Sequence, residues 1–451
     1  MRVTIFFLIL FCRLSSTAQI PPPYTVTICN EKSEGYYFLT PAIRGTIGTQ
    51  SISFNIILDE KGDLFYFKKF TGDSKPVDFK LLPNGLISYH SNGKFYFMNK
   101  SLSVVDSISV TRSFNSDHHE LKLTKNGHYL LLAMESETVD IRPYQLLKSG
   151  FFSAPTTTIT FGVIQEFDAA KNLVFEWRSK KHFRVTDIDT FYIKDPTKID
   201  ITHCNAIEED WDGNLLLSSK NFSEITKINR KDGSIMWRLG GKNNQFDFRN
   251  DSLKFCGQHH IVRLPNGNIS LFDNGKQGQK IHPATAKEYS LDEKNFTATL
   301  AWSYINDSTA HSSMGMGSVQ RLDNGGTLVN YGNSNKSKTL FTVLTPHGEK
   351  CLELYFNDNR RSYRVFNYKN PALQVQRPKI KYFQKNGQLF LDAGRGYSSY
   401  LWSNGATTRI IPYKDGDSLF VCVAANQGGY LVSRPFSTKD LQNLEIKKRP
   451  N

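Results

Sequence analysis

Six stretches of this chain share one design: an apolar strand, a glycine turn and a second apolar strand. Five run over residues 79–88, 121–130, 207–216, 261–270 and 319–328, turning at Asn84-Gly85, Asn126-Gly127, Asp212-Gly213, Asn266-Gly267 and Asn324-Gly325. A weaker sixth covers 56–65 and turns at Lys61-Gly62. Asn-Gly and Asp-Gly supply the positive φ of a tight hairpin, so each stretch predicts two antiparallel strands. Two of them continue into a second hairpin, at 225–237 and 341–351. Two hairpins make a four-stranded sheet, and such a sheet repeated along a chain closes on itself as a propeller. The expected fold is all-β, a six-bladed β-propeller over residues 19–376, with a large sandwich as the competing architecture. Irregular spacing puts long loops between blades, chiefly from Asp140 to Ile201.

The two ends read differently. Arg2, the apolar run Val3 to Cys12 and the small residues Ser16-Thr17-Ala18 have the anatomy of a secretory signal peptide over residues 1–18. That run is too short to span a bilayer. The mature chain is expected to be exported, periplasmic or extracellular, with no stable membrane insertion. Beyond Arg377-Pro378 the strands shorten and glycine turns crowd together. Leu391-Asp-Ala-Gly394 and Tyr400-Leu-Trp-Ser-Asn-Gly405 are similar to the immunoglobulin-like modules of secreted Bacteroidetes proteins. That resemblance implies a small Ig-like β-sandwich over 377–437 built around Trp402, a spacer or binding module without chemistry, followed by a polar tail over 438–451.

A formal charge of +14 favours anionic partners. The basic residues are scattered rather than blocked, and an exported protein rarely meets nucleic acid, so small anions fit better. Cys29, Cys204, Cys256, Cys351 and Cys422 survive processing and show no CxxC spacing, so no structural metal site is expected. Cys422 is expected free and buried, whereas Cys204 and Cys256 flank the predicted channel and are candidates to pair there.

Counting back from the turns locates the chemistry. His119 and His259 stand seven residues before Asn126 and Asn266, and His203 nine before Asp212. The innermost strand of each blade lines a propeller's channel, so repeat-equivalent positions converge, and three imidazoles would point at one place. Asp117 and His118 precede His119, Asn205 follows His203, Gln258 and His260 flank His259, and Lys220 ends the strand after His203. Imidazoles and a cation without paired carboxylates do not suit glycoside hydrolysis. They suit transfer of an anionic group, where donors must face spreading oxygen charge, and they could also ligate a metal.

His203-Cys-Asn-Ala-Ile207, Asp212-Gly-Asn-Leu-Leu-Leu-Ser-Ser219 and Trp237-Arg-Leu-Gly-Gly-Lys-Asn-Asn-Gln-Phe246 resemble the arylsulfate sulfotransferase family. So do Gln258-His259, Leu271-Phe-Asp-Asn-Gly275 and Met316-Gly-Ser-Val-Gln-Arg-Leu322, in the right order between about Gly35 and Phe356. The resemblance implies a six-bladed propeller that moves sulfate from an aryl sulfate to a phenol by a cofactor-independent ping-pong reaction. It implies His259 as a nucleophile that becomes sulfated, with His119 and His203 supporting it. The family's active-site arginine falls on Lys220, which keeps the charge and loses the bidentate fork. His260 stands where the family usually has aspartate. Asn205, Gln258, His260 and His118 are expected to contact substrate, and a homodimer is an open assembly. Two other readings stand beside this one: a non-catalytic propeller that binds sulfated or other anions, and a histidine-liganded metal hydrolase.

Overall fold

The computed structural model describes residues 21–30, 33–43, 52–72, 74–144, 155–277, 280–306, 312–334, 338–414 and 416–437. The expected signal peptide and polar tail lie outside them. Among the described residues there is no α-helix, only strands and short 3-10 turns, and the chain is all-β. Among the described residues no helix is long and apolar enough to cross a membrane.

Six sheets carry most of the described residues, antiparallel apart from the short strands Lys198–Asp200 and Asp247–Arg249, which pair parallel to a neighbour. The fourth shows the plan, with Cys204–Glu209, Leu215–Ser219, Glu224–Ile228 and Ile235–Gly240 side by side in chain order. The second (from Val77–Leu81), third (from Asn115–Leu123), fifth (from His259–Arg263) and sixth (from Ser318–Arg321) also begin with a strand that turns back on the next. Val77–Leu81 neighbours Asn115–Leu123, that strand neighbours Cys204–Glu209, and contacts continue through His259–Arg263, Ser318–Arg321 and Arg361–Tyr368 back to Val77–Leu81. The first strands therefore form a closed ring.

The first sheet is assembled from both chain ends. Arg361–Tyr368 is its inner strand and pairs with Tyr36–Ala42, followed by Ile52–Leu58 and Leu64–Thr71. Tyr24–Cys29 joins the outer edge of the sixth sheet through Lys350–Phe356. This corrects the reading of residues 56–65 as an equivalent repeat: that turn joins the third and fourth strands of its sheet, because the first strand arrives from the other end of the chain. The stretch from Asp140 to Ile201 also departs from expectation. Thr156–Phe167 and Leu173–Arg178 are the outer strands of the third sheet, formed by a Thr- and Ile-rich run that suits a pleated surface without an Asn-Gly turn. The remaining connection, 179–200, carries three 3-10 turns and the short strand Lys198–Asp200.

Each sheet packs on both faces, which explains strands that read as unbroken apolar runs. Leu215 and Leu217 join a core with Leu132, Ile164 and Ile207, whereas Leu216 between them joins Ile225, Ile261 and Leu271 on the opposite side. Alternation along the strand sends neighbours to different cores.

Residues 377–437 do not stand apart. Tyr400–Trp402, Val421–Ala424 and Gly429–Val432 extend the first sheet from its edge strand Leu64–Thr71, with Tyr430 opposite Phe67. Lys381–Lys385, Gln388–Asp392 and Ile410–Pro412 form a second layer. Trp402 is buried in a core that also holds Phe65, Tyr66, Phe79 and Tyr89. Cys422 is buried and free. Cys204 and Cys256 do not pair: the first lies against Ser219 Oγ at 4.0 Å and the second against His282.

Candidate active site

The ring's inner strands are irregular where the histidines sit. Register slips at Val77/Lys80, Cys204/Ala206 and His259/Val262, and comparable slips occur opposite 116–121 and 362–365. Bulges re-aim side chains. His203 and His260 hold φ of 46° and 56°, and Asp78 holds 58°, a left-handed backbone unusual outside glycine that clusters at functional sites.

His203 is clamped by Asp200, whose oxygens accept its backbone N–H at 2.9 Å and its ring Nδ1 at 2.7 Å. A carboxylate can only accept, so the proton sits on Nδ1 and Nε2 keeps its lone pair. Asp117 holds His119 in the same way through ring Nδ1 and backbone N–H. The His119 and His203 rings meet edge to face at 5.0 Å, and exposed His118 stacks on His119 at 4.1 Å.

His259 is held on both sides. Asn274 donates from Nδ2 to Met316 O at 3.0 Å, which turns its Oδ1 to accept from His259 Nδ1 at 2.7 Å. The Met316 N–H donates to His259 Nε2 at 3.1 Å. Burial holds His259 neutral, well below the usual histidine range, and the charges of Lys220 and His203 push the same way. Burial also lowers His203, against the pull of Asp200. Lys220 opens the 3-10 turn Lys220–Phe222 with its ammonium 5.0 Å from the centre of the Tyr192 ring. Burial lowers its pKa, Asp200 raises it and Lys194 lowers it further.

The structure thus gathers His118, His119, His203, His259 and Lys220. The other candidates are tied into the scaffold around this cluster. Asn205 and Gln258, both fully buried, are committed to cross-links: Asn205 Nδ2 donates to Gln258 O at 2.7 Å, and Gln258 Nε2 donates to Ser218 Oγ at 3.0 Å and Glu224 O at 2.9 Å. His260 accepts from Val319 N–H at 3.3 Å and lines a different cavity of ≈ 210 Å³, with Lys80, Glu120, Glu208 and Arg364.

Tyr363 was not legible. It comes from the closing strand, which has no Asn-Gly turn, and its ring lies 5.4 Å from that of His119 and 6.4 Å from that of His259. Its hydroxyl donates to Asn205 O at 2.9 Å. Next to it, buried Arg364 pairs with Asp78 at 3.1 Å and Glu120 at 2.7 Å, and Lys80 bridges the same two carboxylates. Asp200 and Asp117 carried a readable signal, an aspartate two or three residues before a histidine. Among the described residues two groups could hold a metal ion: Asp117, His118 and His119 in this site, and Cys256, Asp273 and His282 behind it.

A family model described as arylsulfotransferase (ASST) matches residues 30–367. No curated protein matches the chain. Among solved structures, the chain is similar to a protein of unknown function from Bacteroides caccae, at 10% identity and TM-score 0.45, covering 74% of this chain and 98% of that one. It is also similar to virginiamycin B lyase from Staphylococcus aureus, at 8% identity and TM-score 0.37, covering 82% and 94%. A putative 6-phosphogluconolactonase from Bacteroides fragilis gives 11% identity and TM-score 0.37, covering 76% and 83%.

Proposed function

The chain belongs to the arylsulfotransferase family, and we propose that it moves a sulfuryl group from an aryl sulfate to a phenol by a ping-pong reaction through a sulfated His259. On this reading the six sheets are the blades of a propeller, the histidines stand at one mouth of its channel, the C-terminal strands are an Ig-like module, and the protein works after export. The observation that carries the reading is the gathering of three imidazoles, His119 and His259 against Tyr363 and His203 against His119, each with its Nδ1 proton held by a defined acceptor, beside the charge of Lys220.

The chemistry follows from those protons. Neutral His259 attacks sulfur through Nε2, the sulfur–oxygen bond to the aryl group breaks, and its electron pair leaves on the phenolate. Nδ1–H stays on Asn274, so the sulfated ring is a cation facing three anionic oxygens. Lys220 offsets the charge of those oxygens, which buried donors do more strongly than water. Attack requires the Met316 N–H to release Nε2. In the second half, Nε2 of His203 or His119 takes the proton of the incoming phenol, and its aspartate stabilises the imidazolium. That imidazolium returns the proton to the next departing phenolate, so the cycle balances with one donor, one acceptor and no cofactor.

A second reading has a specific observation behind it. Nε2 of His119 and His203 makes no hydrogen bond among the described residues, whereas Nε2 of His259 is engaged, so either could be the nucleophile. The test of the function is initial-rate kinetics with 4-nitrophenyl sulfate and a phenol. Parallel double-reciprocal lines and sulfated acceptor are expected. Tight binding of the aryl sulfate without turnover would instead assign a ligand-binding protein.

A further inference from the structure

Behind His259 lies a cluster that sulfuryl transfer does not use. Cys256 and Asp273 are fully buried and His282 is 7% exposed. His282 Nδ1–H donates to Pro283 O at 3.1 Å, which leaves the lone pair of Nε2 facing Cys256 Sγ at 3.5 Å and Asp273 Oδ2 at 3.7 Å. The three ligand atoms all lie within 4.8 Å of one another.

We propose that Cys256 Sγ, His282 Nε2 and Asp273 Oδ2 form a metal site of the zinc type. A tetrahedral zinc with a sulfur at about 2.3 Å and an imidazole nitrogen at about 2.0–2.1 Å holds those two atoms about 3.5 Å apart, the separation found here. A nitrogen and a carboxylate oxygen on the same ion sit about 3.3 Å apart, a few tenths of an ångström inside the 3.7 Å between His282 Nε2 and Asp273 Oδ2. The outer contacts fit as well. A histidine ligand commonly donates its other N–H to a backbone carbonyl, as His282 does. Asp273 Oδ1 is fixed by the N–H groups of Cys256 at 3.0 Å and Gly275 at 2.9 Å, leaving Oδ2 as the ligand atom.

Lys287 raises the obvious objection, with its ammonium 3.0 Å from that same oxygen. It is anchored elsewhere, by Asp251 at 2.7 Å and Lys254 O at 2.8 Å, and a ligating carboxylate is normally supported by a second hydrogen bond. Charge favours the ion. Two buried carboxylates, Asp251 and Asp273, share one ammonium, so this cluster is one positive charge short. A divalent ion that displaces the Cys256 thiol proton to solvent adds one net positive charge and makes it neutral. The ion would tie down both segments that frame the His259 ring, since Gly257 O and Asn274 Oδ1 face its Nδ1.

The test uses the purified full chain, stripped with a chelator and titrated separately with zinc and cobalt(II). One zinc per chain is expected, with X-ray absorption giving one sulfur ligand among nitrogen and oxygen ligands. Cobalt should show a thiolate charge-transfer band and the strong visible bands of four-coordination. Cys256→Ser should remove the charge-transfer band, and His282→Ala should take zinc stoichiometry from one to zero at micromolar metal. Absence of a sulfur ligand in the wild-type zinc spectrum, or unchanged binding in both ligand variants, overturns the proposal. The wild-type spectrum decides even where a variant fails to fold. Sulfuryl transfer is read by a separate assay, so either result can fail alone.

Discussion

Asp200 and Asp117 hold the Nδ1 protons of His203 and His119, which gives each ring one free basic nitrogen and a charge partner for the imidazolium it becomes. Asp200→Asn should therefore lower turnover by about 10²–10⁴-fold, the usual contribution of a positioned acid or base, with little change in acceptor KM. Lys220 makes a separate prediction. Burial holds its pKa below the ordinary lysine value, so the charge on the sulfuryl oxygens is lost as pH rises through that lowered pKa. The rate should fall on the alkaline side earlier than a free lysine would allow. Lys220→Arg should shift that limb to higher pH, because guanidinium does not deprotonate in this range. An unshifted limb in the arginine variant would remove Lys220 from the site. The convergence of three histidines was legible from their distance to the turns, and Lys220 from its place at the end of the strand after His203. The cross-strand partners of Asn205 and Gln258 were not legible, because proximity in sequence says nothing of which partner an amide finds, and Tyr363 was silent because nothing repeats around it.

At the scale of elements, the sheet that closes the ring is where pattern reading stopped. Five hairpins carry Asn-Gly or Asp-Gly turns that set their strands in register, whereas the first sheet combines Arg361–Tyr368 with Tyr36–Ala42, 319 residues away between the paired Ala42 and Arg361. A pairing at that separation leaves no local signature. The C-terminal strands show the same limit: their short runs were readable as β-structure around Trp402, but not that they would add to the edge of Leu64–Thr71. Removing residues 377–451 should expose that edge together with Phe65, Tyr66 and Phe79. The truncated chain should melt well below the full chain and aggregate, because an open apolar edge strand templates pairing. A soluble truncation with an unchanged melting temperature would mean that these strands contribute nothing to the first sheet.

The whole molecule is held at its centre by polar groups as well as by apolar cores. Arg364, 2% exposed, is paired with Asp78 and Glu120, so Arg364→Met should leave two buried carboxylates facing Lys80 alone and cost about 3–5 kcal/mol in urea unfolding. Buried histidines set the response to acid. Burial lowers His90 to about 4, and places His259 and His260 well below the usual range. Below a pH of about 6.5 the unfolded chain binds protons that these rings refuse, so the stability they contribute is complete above that pH and is lost as pH falls toward 4. Each such ring adds a slope of about 1.4 kcal/mol per pH unit, and unfolding midpoints measured between pH 7 and pH 5 should fall accordingly. Flat midpoints would mean that the rings are protonated in the folded state. The sulfuryl-histidine mechanism itself is tested most directly by mixing the enzyme with an aryl sulfate and no acceptor, counting the phenol released and mapping the modified residue by mass. A burst of about one phenol per chain with the sulfuryl group on His259 is the predicted result, abolished in His259→Ala. The group on His203 or His119, or full turnover by His259→Ala, would contradict it.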